Sequence, residues 1–145
     1  MAVTGIANLA VKVSDLEQAC AFYERAGAEV RNRTTWNDAE RADVHLGPVL
    51  ITLFTEAIYE DTVDVPAEGF LHAALFTDDL DRELQTHDVI WGPAVIEGTF
   101  GKRRVAFVRA PGDIRLEFME QLEPPPSEAT GAGSTSPTPD GTPIS

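Results

Sequence analysis

Asn8-Leu9-Ala10-Val11-Lys12-Val13-Ser14-Asp15-Leu16 and His72-Ala73-Ala74-Leu75-Phe76-Thr77-Asp78-Asp79-Leu80 are the two stretches on which the fold turns. Each is a strand-like apolar run that meets a helix start, and the seven positions from Asn8 to Asp15 match the seven from His72 to Asp79. The spacing continues downstream. From Asn8 to Thr52 is 44 positions (52−8) and from His72 to Glu117 is 45 (117−72), inside similar segments Leu50-Ile51-Thr52-Leu53-Phe54 and Arg115-Leu116-Glu117-Phe118-Met119. The chain is therefore read as one unit written twice, which brings Asn8, Thr52, His72 and Glu117 to four equivalent positions.

Periodicity fills in each unit. A strand is expected over 6–13, then a helix from Ser14, where Ser14-Asp15-Leu16-Glu17 reads as a capping box with reciprocal side-chain and backbone hydrogen bonds. Leu16, Ala19, Cys20, Phe22, Tyr23 and Ala26 recur at helical spacing, and Gly27 is the expected stop. Strands follow near 29–36, 41–46 and 48–55. The second unit gives a strand over 70–76, a short helix over 78–85, and strands near 88–95, 103–109 and 113–120, with Pro111-Gly112-Asp113 as a tight turn. The class is α+β, with the order βαβββ in two repeats, about 5–57 and 69–121, forming one domain over 1–122. From Glu123 the chain turns to Pro, Ser, Thr and Gly, and 123–145 is expected to be a disordered tail, too poor in apolar surface to offset its ordering entropy.

Composition narrows the function. The net charge of −13 and pI of about 4.4 disfavour nucleic acid and anionic membranes as partners. No apolar run approaches the ~20 residues of a membrane span. The N-terminus lacks signal-peptide features. The single cysteine, Cys20, has no disulfide partner and falls on the apolar face of a helix as a small core residue. A cytoplasmic location is expected.

Strand alternation predicts facing. Ile114, Leu116 and Phe118 form one face of the last strand and leave Glu117 on the other. Val44 and Leu46 similarly turn His45 away from their side. With helices on the apolar faces, Asn8, Thr52, His72, Glu117 and His45 converge on one concavity. Arg104 joins them if Val105 and Phe107 are the helix-covered side. Trp36, Phe54, Trp91 and Phe100 are candidate aromatic walls of a ligand pocket. His87 is expected at the surface.

These patterns resemble the vicinal oxygen chelate superfamily, which includes glyoxalase I, methylmalonyl-CoA epimerase, extradiol dioxygenases and bleomycin-resistance proteins. The resemblance rests on Ile6-Ala7-Asn8, Val11-Lys12-Val13-Ser14-Asp15-Leu16, Phe22-Tyr23, Gly27, Gly69-Phe70-Leu71-His72, Asp78-Asp79-Leu80 and Pro111-Gly112 followed by Leu116-Glu117-Phe118. It implies an open, cup-shaped mixed sheet with helices outside, and a homodimer. It also implies a divalent metal held by four strand positions, here Asn8, Thr52, His72 and Glu117. His72 and Glu117 match that ligand set. Asn8 and Thr52 offer only neutral oxygens, which are weak ligands, with His45 and Glu56 as conceivable substitutes.

Three functions follow. The first is a metal-independent isomerase, epimerase, lyase or cyclase of small molecules, with His72 and Glu117 as acid and base and Asn8, Thr52, His45, Phe54, Trp36, Trp91, Phe100 and Arg104 contacting the substrate. The second is a metal-free protein that sequesters an antibiotic or natural product. The third is a metalloenzyme with a reduced ligand set of His72, Glu117 and waters.

Overall fold

Two aspartates equivalent in the repeat open the two helices of the fold. The computed structural model describes residues 3–125, apart from the side chain of Trp36; residues 126–145, most of the expected tail, lie outside the described set. Along the chain run β1 (Val3–Lys12), α1 (Leu16–Arg25), β2 (Glu29–Trp36), β3 (Ala39–Leu46), β4 (Val49–Phe54), β5 (Gly69–Thr77), α2 (Leu80–Leu84), β6 (Asp88–Gly98), β7 (Gly101–Ala110) and β8 (Ile114–Glu123). Asp15 and Asp79, both in extended backbone, accept hydrogen bonds from the amides of Gln18 and Arg82, satisfying free donors of the first turn. The expected cap, Ser14, is otherwise engaged: its amide and hydroxyl both donate to Glu68 Oε1. That contact fixes the end of β1 to the start of β5 and leaves capping to the next residue. Gly27 ends α1 with φ of 99°, a conformation that suits glycine.

The eight strands form a single mixed sheet in the order β2-β3-β4-β1-β5-β8-β7-β6, curled into a half-barrel. Within each βαβββ module the first and last strands run parallel. Ala10 of β1 lies opposite Thr52 of β4, and Ala74 of β5 lies opposite Glu117 of β8. The sequence repeat is thus a repeat of register. The modules join where β1 and β5 pair antiparallel, so the whole cup forms within one chain.

Apolar side chains sort onto two faces. On the convex side α1 buries Leu16 and Cys20 against Ala42, Val44 and Leu53. Complete burial of a leucine such as Leu16 contributes about 2 kcal/mol. The shorter α2 buries Leu80 against Ala106, Val108 and Phe118. The concave side holds a third cluster, including Ala10, Phe54, Tyr59, Ala74, Ile96, Val105, Phe107 and Met119. This overturns the expected facing of β7. Val105 and Phe107 fill the concave side, whereas small Ala106 and Val108 lie beneath α2, where a short helix packs close to the sheet.

Hairpin β6–β7 closes the mouth of the cup. Its strands are longer than expected and meet at Thr99-Phe100, followed by Gly101 with φ of 83°. A Cβ at Gly101 would collide with the backbone of Glu123 and Pro124, so only glycine lets the hairpin lie against the end of β8.

Candidate active site on the concave face

The four repeat-related positions come together, and all four are buried: Asn8 at 3%, Thr52 at 0%, His72 at 2% and Glu117 at 1% exposure. They divide into two pairs. Asn8 Nδ2 donates to Thr52 Oγ1 at 2.8 Å, leaving Asn8 Oδ1 buried without a hydrogen bond. In the second module His72 Nε2 lies 3.2 Å from Glu117 Oε1. The approach is too oblique for a hydrogen bond, and Nε2 has none. On the other side of the ring, Nδ1 lies 2.9 Å from the hydroxyl of Tyr59. Tyr59 and Phe107 pack against the imidazole with ring centroids 5.5 and 4.9 Å away.

Residues not anticipated from the sequence supply most of the charge. Arg41 and Asp43 of β3 form a buried ion pair at 2.6 Å. Asp43 also accepts from Thr99 at 2.6 Å and from Asn32 at 3.0 Å, while Arg41 donates to Thr99 at 3.2 Å. The hairpin tip is thereby clasped to β3 across the mouth. Arg103 of β7 is buried in the same region, over the ring of Phe100 at 5.5 Å. Burial pushes its guanidinium down to about 10 and Arg41 adds repulsion, while the carboxylates of Glu117 and Asp43 oppose the shift. Burial likewise lowers Arg41, against the attraction of Asp43 and Glu117.

The other candidates divide. Phe54 lies in the concave cluster beneath the Arg41 guanidinium, 5.6 Å from its ring centroid. Phe100 and Trp91 are half-buried along the rim, packed edge-on to Phe76 and Phe107. His45 has the expected parity but stands at the end of β3 opposite Glu29, away from His72 and Glu117. Arg104 is excluded from the concavity: it faces outward and pairs with Asp81 of α2 at 2.7 Å. Its neighbour Arg103 takes the inward position, because the parity of β7 is the reverse of that expected. His87 is half-buried against Phe118 and near Glu83. Trp36 belongs to β2, but its side chain lies outside the described residues.

Parity alone could have found Arg41 and Asp43, which alternate with Ala42 and Val44. Nothing in the sequence pointed to Tyr59. It lies in the aperiodic segment between the modules, which folds back under the cup and is tied down by Glu60 to Lys12 at 2.8 Å and to the amide of Ala57 at 2.6 Å. Beside Tyr59 the surface opens into a cleft of about 430 Å³, lined by Glu60, Asp61, Thr62, Val63, Asp64, Arg109, Asp113 and Arg115.

The donor set does not fit a divalent metal. Asn8 and Thr52 are bonded to each other, Glu56 is exposed, and two buried guanidinium groups already lie near Glu117. No three His, Cys, Asp or Glu side chains among the described residues are placed to share an ion. A metal is normally held by three or four such groups.

No protein-family model matches the sequence, and no curated protein matches it. Solved structures do. Methylmalonyl-CoA epimerase from Mycobacterium tuberculosis is 20% identical, covers 90% of this chain and 93% of its own, and superimposes with a TM-score of 0.62. A variant of 4-hydroxymandelate synthase from Streptomyces coelicolor is 20% identical over 86% of this chain and 40% of its own, with a TM-score of 0.60. For 2,2',3-trihydroxybiphenyl 1,2-dioxygenase from Sphingomonas wittichii the values are 17%, 81%, 42% and 0.56. The chain has the vicinal oxygen chelate fold. At these identities the likeness is one of architecture, and the chemistry rests on the residues of the concave face itself. Two modules, each with parallel first and last strands, bring Asn8, Thr52, His72 and Glu117 together.

Proposed function

We propose that this protein is a metal-independent enzyme that moves a proton at a carbon next to a carbonyl of a small molecule, as an isomerase or epimerase does. The observation that carries this reading is the buried contact of His72 with Glu117 on a concave floor that also holds Arg41 and Arg103. One carboxylate and one imidazole supply a proton acceptor and a proton donor on adjacent strands. The two guanidinium groups provide the fixed positive field that stabilises a developing enolate oxygen, the part a metal ion plays elsewhere. Burying this many ionisable groups costs stability that a purely structural core has no need to lose, and such clusters concentrate at functional sites.

Proton transfer at the carbonyl-bearing carbon leaves the atoms balanced. The acceptor takes the carbon's hydrogen as the donor protonates the oxygen; return of a proton to the opposite face of that carbon, as the oxygen gives its proton back, yields the epimer and restores both groups. One similar protein, a methylmalonyl-CoA epimerase, has been solved with methylmalonyl-CoA bound. Carbonyl acids and acyl thioesters are therefore the first compounds to try.

The test is hydrogen–deuterium exchange at carbon, followed by NMR in deuterated water with a panel of 2-substituted acids and thioesters. Exchange that is abolished in His72→Ala supports the enzyme. Ligands that bind without exchange would instead favour sequestration, which needs no acid–base pair.

A further inference from the structure

Tyr59 makes the one hydrogen bond that His72 has on its Nδ1 side, and the proposed function does not use it. The phenol is completely buried, and burial, its largest influence, keeps it protonated well above the usual tyrosine range. A protonated phenol has an O–H to donate, and the acceptor within its reach, at 2.9 Å, is His72 Nδ1. An imidazole that accepts at Nδ1 carries its hydrogen on Nε2, the atom 3.2 Å from Glu117. The same result follows from the far side of the ring. A bare Nε2 would set its lone pair against a carboxylate oxygen at that distance, whereas the positive end of an N–H there is attracted to it even without the alignment of a hydrogen bond.

We propose that Tyr59 is a positioning residue that fixes His72 as the Nε2–H tautomer and so makes His72 the proton donor and Glu117 the proton acceptor of the site. This rests on the acid–base reading above and deepens it by assigning the two roles.

The tautomer can be read without any substrate, which separates this proposal from the enzyme reading. Long-range proton–nitrogen correlation NMR on nitrogen-15-labelled protein, with His72 assigned by loss of its signals in His72→Gln, is expected to give a single form with Nδ1 unprotonated and Nε2 protonated. Tyr59→Phe is expected to give a mixture of tautomers. A wild-type spectrum with the hydrogen on Nδ1 overturns the proposal, whatever the variants do. So does a folded Tyr59→Phe protein with the wild-type pattern. Once a substrate is found, Tyr59→Phe is expected to lower kcat about tenfold or more with KM little changed. An unchanged kcat beside an altered tautomer would leave the tautomer assignment standing and refute the donor role of His72.

Discussion

Asn8 and Thr52 are joined to each other by a 2.8 Å hydrogen bond across β1 and β4. Their counterparts in the second module, His72 and Glu117, are the ionisable pair. One half of the repeat has become a neutral support and the other carries the charge.

That asymmetry predicts how the protein responds to metals. Its melting temperature is expected to be unmoved by EDTA or by zinc, manganese or nickel salts. The double variant Asn8→His/Thr52→Glu restores four donors, and metal at 100 times its Kd should stabilise it by about 2.7 kcal/mol. Stoichiometric metal in the purified wild-type protein, lost in His72→Ala, would refute the donor-set argument. Elemental analysis with thermal melts decides the matter.

The carboxylate of Glu117 faces the buried Arg103 charge as well as His72. Glu117→Gln is therefore expected to cost about 3–5 kcal/mol in urea unfolding, the usual penalty for removing one partner from a buried charge pair. Adding Arg103→Met should restore a large part of it, because the remaining charge goes too. If the two substitutions simply add, the groups are not coupled.

The clasp across the mouth of the cup gives a further expectation. Thr99 donates to Asp43 and accepts from Arg41, both buried. Thr99→Val should cost about 1–3 kcal/mol by leaving these groups short of a partner. Amide exchange should quicken at residues 98–101. Unchanged exchange there would mean that the hairpin is held by apolar packing alone.

Acid sensitivity should be traceable to Glu68. Ser14 donates to it from both hydroxyl and amide and holds its carboxyl below the ordinary value of 4.5. A carboxylate lowered in the folded state contributes stability above its unfolded pKa and loses it as pH falls through the folded value. Glu68→Gln should therefore lie below wild type near neutrality and converge with it in acid, below about pH 4. Urea midpoints measured across that range would disprove the assignment if the gap stayed constant.

Much of this was legible in the chain. The two helix starts, the two βαβββ units and the four central positions are local or periodic signals, whereas the cap of α1 moved from the expected Ser14 to Asp15 because Glu68 engages the serine. The alternation failed on β7, where Val105 and Phe107 were assigned to the helix-covered face and Arg104 to the cavity. A strand that is apolar at four successive positions, Val105 to Val108, fits either face. Which side α2 covers depends on how the helix packs on the sheet, and that is not a local property.

The sequence by itself determined the repeat, and with it the fold and the meeting of His72 with Glu117, because register between parallel strands carries equivalent residues to equivalent places. Only the tertiary structure decided that Arg103 rather than Arg104 faces the floor, and that Tyr59 reaches His72 from a segment with no periodicity. Those contacts arise from curvature of the sheet and the path of a connection between its modules. Both are set by how the whole surface closes on itself, beyond the reach of any window of neighbouring residues.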